Sequence, residues 1–210
     1  CSPDEILQAE KNTLHSLRQN RANPYDQTGI LYSQIYHEYQ SIHSDSIYLI
    51  DQIITEVEKI VAVSSAYYQG LETYSPVDIA VIQDIVFNRN ISLEDYIQNT
   101  ELTPVAQQVF LELRDSLKDT TNNELHDTLV EFESKVIKDS LFTSLDKEIM
   151  LNSGSIIRHS LDNGDDTDWG NSGDTILKAT IRGMKENRSK AIIMAVVARI
   201  VNKQQPQDEL

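Results

Sequence analysis

Apolar residues recur along most of the chain at spacings of three and four, the signature of helices packed on one face. The pattern is clearest between residues 23 and 70. At 100° per residue, Leu31, Ile35 and Ile42 fall within roughly 40° of one another. Tyr25, Tyr32, Tyr36, Tyr39 and His43 form an adjoining strip, and the two together make an apolar-aromatic face about 140° wide. His37, Glu38 and Gln40 lie outside it. Beyond Ser44-Asp45-Ser46 the period resumes through Leu49/Ile50, Ile53, Val57 and Ile60/Val61, and Gly70 suits a helix stop. This stretch reads as one long helix, or two in near-continuation broken at Ser44–Ser46. Further on, Leu125, Leu129, Phe132 and Val136 form a second stripe at +4, +3, +4. No segment alternates as a strand would.

Start signals agree with the period. Four of the five prolines follow Ser, Thr or Asn: Ser2-Pro3, Asn23-Pro24, Ser75-Pro76 and Thr103-Pro104. A proline at the first helical position gives up an N–H that had no partner anyway. Ser75 is followed three residues on by Asp78, and Ser92/Asp95, Thr121/Glu124 and Thr143/Asp146 repeat that capping-box spacing. The predicted helices are 3–20, 24–43, 46–69, 76–88, 92–99, 104–118, 122–139, 144–162 and 174–203, the last broken near Asn187–Ser189. The fold class is therefore all-α: a single-domain bundle of about eight to nine helices without significant sheet. Residues 1–22 read as an N-terminal tether and first helix, 23–203 as the helical domain and 204–210 as a polar tail.

Composition narrows the function. Seven glycines and five prolines in 210 residues are few for a loop-rich protein. The net charge of −15 argues against nucleic acid as a partner, because phosphate binding needs a basic surface. Charge is uneven, however: residues 175–203 hold seven basic side chains against one acidic, Glu186. They read as a buried helix whose cations answer the acidic body, the alternative being an amphipathic helix that faces a membrane. No run approaches the ~20 apolar residues of a membrane helix. The single cysteine, Cys1, allows no intramolecular disulfide.

Candidate chemistry is sparse. Between residues 162 and 174 five carboxylates, Asp162, Asp165, Asp166, Asp168 and Asp174, alternate with Asn and Gly, a composition of hard oxygen donors suited to Ca²⁺. The spacing departs from an EF-hand, and the competing reading is a solvated loop in which Gly164 stops one helix and Asp174 caps the next. The five histidines, among them His159, show no metal-ligand spacing. No nucleophile elbow or phosphate-binding glycine loop is present, so no catalytic residue is assigned. The strip Tyr25, Tyr32, Tyr36, Tyr39 and His43 could line an aromatic groove for a protein or glycan partner, although such stripes more often form core.

Two stretches carry a resemblance. Asn23-Pro24-Tyr25-Asp26, then Gly29 and Leu31, resembles the opening of a group of Bacteroidetes lipoproteins without an assigned activity. Ser155-Ile156-Ile157-Arg158-His159-Ser160, with the later Trp169, resembles their second half. The chain departs from them at Tyr32-Ser33, where those proteins often have a His-Asn pair. Cys1, followed by Ser2-Pro3-Asp4-Glu5, is similar to the mature end of such a lipoprotein, where the cysteine carries the lipid. The resemblance implies lipid attachment at Cys1, contact with a membrane through that lipid, and a place in the bacterial cell envelope, at the outer membrane or cell surface. The expected function is a non-enzymatic interaction or structural module. The alternative is an ion-dependent, Ca²⁺-binding protein or an envelope enzyme using the loop 162–174.

Overall fold

A computed structural model describes residues 18–43, 47–64, 71–88, 90–118, 122–161 and 169–204. Among these every regular element is a helix. The helices are α1 (Asp26–Ile42), α2 (Ile50–Ser64), α3 (Ile79–Phe87), α4 (Leu93–Gln98), α5 (Pro104–Lys118), α6 (Asn122–Lys138), α7 (Ser144–Ser160), α8 (Trp169–Met184) and α9 (Arg188–Lys203). The all-α bundle expected from the periodicity is what the chain forms. Cys1, most of the predicted helix 3–20, the Ser44–Ser46 break, four of the five loop aspartates and the end of the tail lie outside the described residues; 18–20 are not helical.

Local signals explain many boundaries. At α4, Ser92 Oγ accepts from Asp95 N (3.1 Å) while Asp95 accepts from Ser92 N (2.8 Å). At α7, Thr143 and Asp146 make the same reciprocal pair. Asp146 does more, because its carboxylate also accepts from Thr103 N (2.8 Å) and Thr103 Oγ1 (3.0 Å) at the start of α5. One buried carboxylate thus ties two helix N-termini together, satisfying donors that would otherwise lack partners. α9 starts on an Asn187 side chain that accepts from Lys190 N, within a residue or two of the break predicted in 174–203.

Three boundaries differ from expectation for identifiable reasons. α1 is assigned from Asp26, although Asn23 still makes a cap-type bond, its Oδ1 accepting from Tyr25 N (2.8 Å) while its Nδ2 donates to Leu151 O on α7 (3.0 Å); the residues between form i+3 turns, with Asp26 N donating to Asn23 O and Thr28 N to Tyr25 O. α3 begins at Ile79 with Asp78 as its cap, because Ser75 is held by Glu186 and Pro76 O by Lys190 Nζ. α8 begins at Trp169, so Asp174 lies inside the helix and does not cap it.

The core has two apolar clusters that share a wall. One gathers α1, α2, α3 and α9, and the other α4, α5 and α6. α7 and α8 contribute to both: Ile156, Ile176 and Ala179 face the first, Ile149, Met150, Leu151, Ile157, Leu177 and Ile181 the second. That shared wall makes the two clusters one domain. α9 is buried continuously over 189–201 and lies against α8 so closely that a Cβ on Gly183 would overlap the Ala191 backbone. α7 is buried over 149–160, although six of those twelve residues are Asn, Ser, Arg or His. Polar groups buried on a central helix need partners, and theirs define the site.

Candidate functional site

The small residues of α7 let α1 reach it. A Cβ on Gly29 would overlap Ser155 O and the His159 ring, so only glycine permits this approach. The contact is then fastened by polar groups. Gly29 N donates to Ser155 Oγ (2.9 Å), and Ser155 Oγ donates to Asp26 O (3.0 Å). Thr28 Oγ1 donates to Asn152 Oδ1 (2.6 Å). The backbone of one helix end and the side chains of another therefore complete each other's hydrogen bonds.

Beside this seam sits a buried charge cluster. Arg158, with its side chain fully buried, places Nη2 2.6 Å from Asp26 Oδ1 and 3.2 Å from Glu133 Oε1. Glu133, on α6, is also fully buried, and its Oε2 accepts from Asn20 Nδ2 (2.6 Å). Arg158 Nη1 donates to the Arg18 carbonyl. His159 Nε2 lies 3.3 Å from Asp26 Oδ1 and 3.4 Å from Arg158 Nη1. The approach segment 18–25, α1, α6 and α7 thus meet at one guanidinium.

The two carboxylates respond oppositely to this place. Burial pushes the Asp26 carboxyl up, but hydrogen bonds from His159 and Arg158 outweigh it and hold Asp26 below the ordinary range. Burial also pushes Glu133 up, and here Arg158 and Asn20 offset it only in part, so Glu133 remains above the ordinary range. The cluster holds four chain segments together around one guanidinium.

The aromatic strip lies largely inside the molecule. Tyr32, Tyr36 and Tyr39 are 0, 3 and 2 % exposed and belong to the first apolar cluster. The Arg199 guanidinium lies 4.1 Å over the Tyr36 ring and its Nη1 donates to Tyr32 Oη (3.2 Å). Tyr25 is partly buried against the second cluster, away from the others. His43 caps the far end of α1, with Nδ1 3.0 Å from Tyr48 Oη and Nε2 3.7 Å from Glu56.

Of the acidic-loop residues, Asp162, Asp165, Asp166 and Asp168 lie outside the described residues. Asp174 faces basic side chains, with Arg114 Nε at 3.9 Å, and burial raises its carboxyl against the pull of Lys118, Arg114 and Lys178. Among the described residues no group of three or more His, Cys, Asp and Glu is placed to hold a metal ion. The cations of 175–203 serve carbonyls and rings as well as carboxylates: Lys190 Nζ donates to Pro76 O (2.7 Å), and Lys178 Nζ donates to Ile91 O (2.6 Å) beside the Tyr96 ring. No helix among the described residues is long and apolar enough to cross a membrane.

Sequence reasoning singled out Asp26, Gly29 and Arg158 as parts of the two resembling stretches and His159 there and among the histidines, and it missed Glu133, Asn20 and Thr28. One signal was available: Glu133 interrupts the Leu125–Val136 stripe next to Phe132, where a carboxylate has to be buried or displaced. Comparison with family models, with curated proteins and with solved structures finds no match for the chain. Its class therefore rests on its own geometry, an all-α bundle with a polar joint at its centre.

Proposed function

We propose that this chain is a lipid-anchored module of the bacterial cell envelope that serves a non-enzymatic structural or interaction role, with the lipid on Cys1. The support is the meeting of the two stretches that resemble envelope lipoproteins. Residues 23–29 and 155–160, more than 120 positions apart, make one joint through Gly29, Ser155, Asp26, Arg158 and His159. A resemblance spread over two mutually dependent segments is a likeness of one structural unit. The joint's charged groups answer each other, a role of holding segments in place, and it stands where the tether segment enters the domain.

The test is cellular fractionation of the full-length protein expressed behind a lipoprotein leader. The wild type partitions with membranes and its N-terminal peptide carries the mass of the lipid, while Cys1→Ser moves to the soluble fraction. A Cys1→Ser protein that stays with membranes overturns the lipid reading and directs attention to residues 175–203.

A further inference from the structure

Ahead of α3, residues 71–78 form no regular element, and their burial repeats every three positions. Leu71 and Tyr74 are half-buried against the first apolar cluster and Val77 belongs to it, while the pairs between them, Glu72-Thr73 and Ser75-Pro76, are exposed. Three residues per turn is the period of an extended polyproline-type segment, and Pro76 biases Ser75 toward extended backbone. The main chain of this strap is held by side chains. From the corner that joins α8 to α9, Ser189 Oγ accepts from Glu72 N (2.6 Å), Asn187 Nδ2 donates to Thr73 O (2.8 Å) and Glu186 accepts from Ser75 N. Lys190 Nζ donates to the Ser75 carbonyl, to Pro76 O (2.7 Å) and to Ser75 Oγ (3.2 Å). From α2, Glu58 Oε1 accepts from Val77 N (3.0 Å). Nearly all of these bonds go to N–H and C=O groups that any extended chain carries. The apolar positions three apart and the proline supply the selection, the division of labour found in peptide-binding grooves.

We propose that the seat of residues 71–77 is a binding site for an extended peptide segment of a partner protein, occupied in this state by the chain's own strap. The segment it takes carries apolar or aromatic residues three apart, with a proline just before the last. The chemistry of the occupant follows from Lys190, which is 7 % exposed and directs its ammonium at strap oxygens. A vacated seat leaves that cation without its carbonyls, so whatever replaces the strap has to bring backbone oxygens of its own. A lipid chain or a purely apolar helix face does not supply them. A segment without regular structure, with four of its seven residues exposed, opens at lower cost than the helices around it. The proposal rests on the interaction role above but makes no use of the lipid, so its failure leaves the fractionation result standing.

The experiment titrates a capped, fluorophore-labelled peptide with the sequence of residues 71–78 against the full chain and against the double variant Leu71→Ser/Tyr74→Ser, whose own strap is weakened. Anisotropy should show binding to the double variant and affinity lower by about tenfold or more for the wild type, whose seat is free only in the fraction of molecules with the strap lifted. Adding Lys190→Met to the double variant should abolish binding, as should serine in the peptide at the places of Tyr74 and Val77. No binding to the double variant, or binding that survives Lys190→Met, overturns the proposal. Should either variant fail to fold, amide hydrogen exchange of the wild type decides. Excess peptide should speed exchange at Glu72, Ser75 and Val77, the three amides that the seat holds, and leave the middle of α9 unchanged. Exchange at those three amides that does not respond to the peptide overturns the proposal.

Discussion

Replacing Asp26 by Asn keeps the shape of the joint and removes the better partner of Arg158. The guanidinium is fully buried and Asp26 is 13 % exposed, so the remaining positive charge has little access to water. Removing one member of a buried pair costs about 3–5 kcal/mol. Glu133 still faces the guanidinium but is the reluctant anion of the two, which places the expected loss near the lower end, about 3 kcal/mol. In a chain of 210 residues that corresponds to a fall of roughly 6–12 °C in Tm. The effect has a definite pH dependence. Asp26 is held below its ordinary value, so its contribution is complete above that value and is lost as pH falls through the folded one. Urea unfolding of wild type and variant at pH 7 and again near pH 3 measures both quantities. The gap should narrow in acid. A loss under about 1 kcal/mol at pH 7, typical of an exposed pair, or a gap that does not shrink in acid, would refute the reasoning.

Gly29→Ala should destabilise by about 3 kcal/mol, at the upper end of overpacking costs, because the new methyl meets the Ser155 backbone; denaturant unfolding checks it, and a neutral outcome means α1 and α7 are further apart than found here. Asp146→Ala removes the acceptor shared by two helix starts and should cost about 2 kcal/mol, twice the typical value of one cap, with helicity lost from both α5 and α7 in hydrogen exchange. Tyr39 and Tyr96 have their hydroxyls pushed up to about 12, by burial first and then by neighbouring groups, Tyr48 and Glu56 for Tyr39 and Asp84 for Tyr96. Because the folded value is the higher one, their contribution is complete below the ordinary tyrosine range and fades as pH climbs from about 10 toward 12, so ultraviolet titration should show two late tyrosines whose ionisation coincides with alkaline unfolding.

What could be read from sequence was what is encoded locally. The boxes Ser92/Asp95 and Thr143/Asp146 lie within one helical turn, and both form. The Leu125–Val136 stripe needs only a period, and all four of its residues are buried. Signals failed where a distant partner outbid the local one. Ser75 looked like a cap but is claimed by Glu186, whereas Asn23 makes its cap-type bond to Tyr25 N and spends only its Nδ2 on Leu151. Asp174 looked like a cap but lies inside α8 near Arg114. The joint was out of reach for the same reason: Arg158 meets partners 25 and 132 positions away, and no spacing rule links them. The aromatic strip was legible as one helix face, yet the Arg199 that lies over it comes from α9.

Whether residues 23–29 and 155–160 form one energetic unit is decided most directly by a double-mutant cycle joining Asp26→Asn and Arg158→Met, with unfolding free energies of the wild type, both single variants and the pair at pH 7. Each single variant takes from a buried charge its shortest ion pair, and the double variant removes both charges of that pair. The double variant should therefore be more stable than the sum of single losses implies, with a coupling of about 2–3 kcal/mol. Losses that add within about 0.5 kcal/mol would show that the two side chains do not act on each other, and that the joint between α1 and α7 is not what holds these segments together.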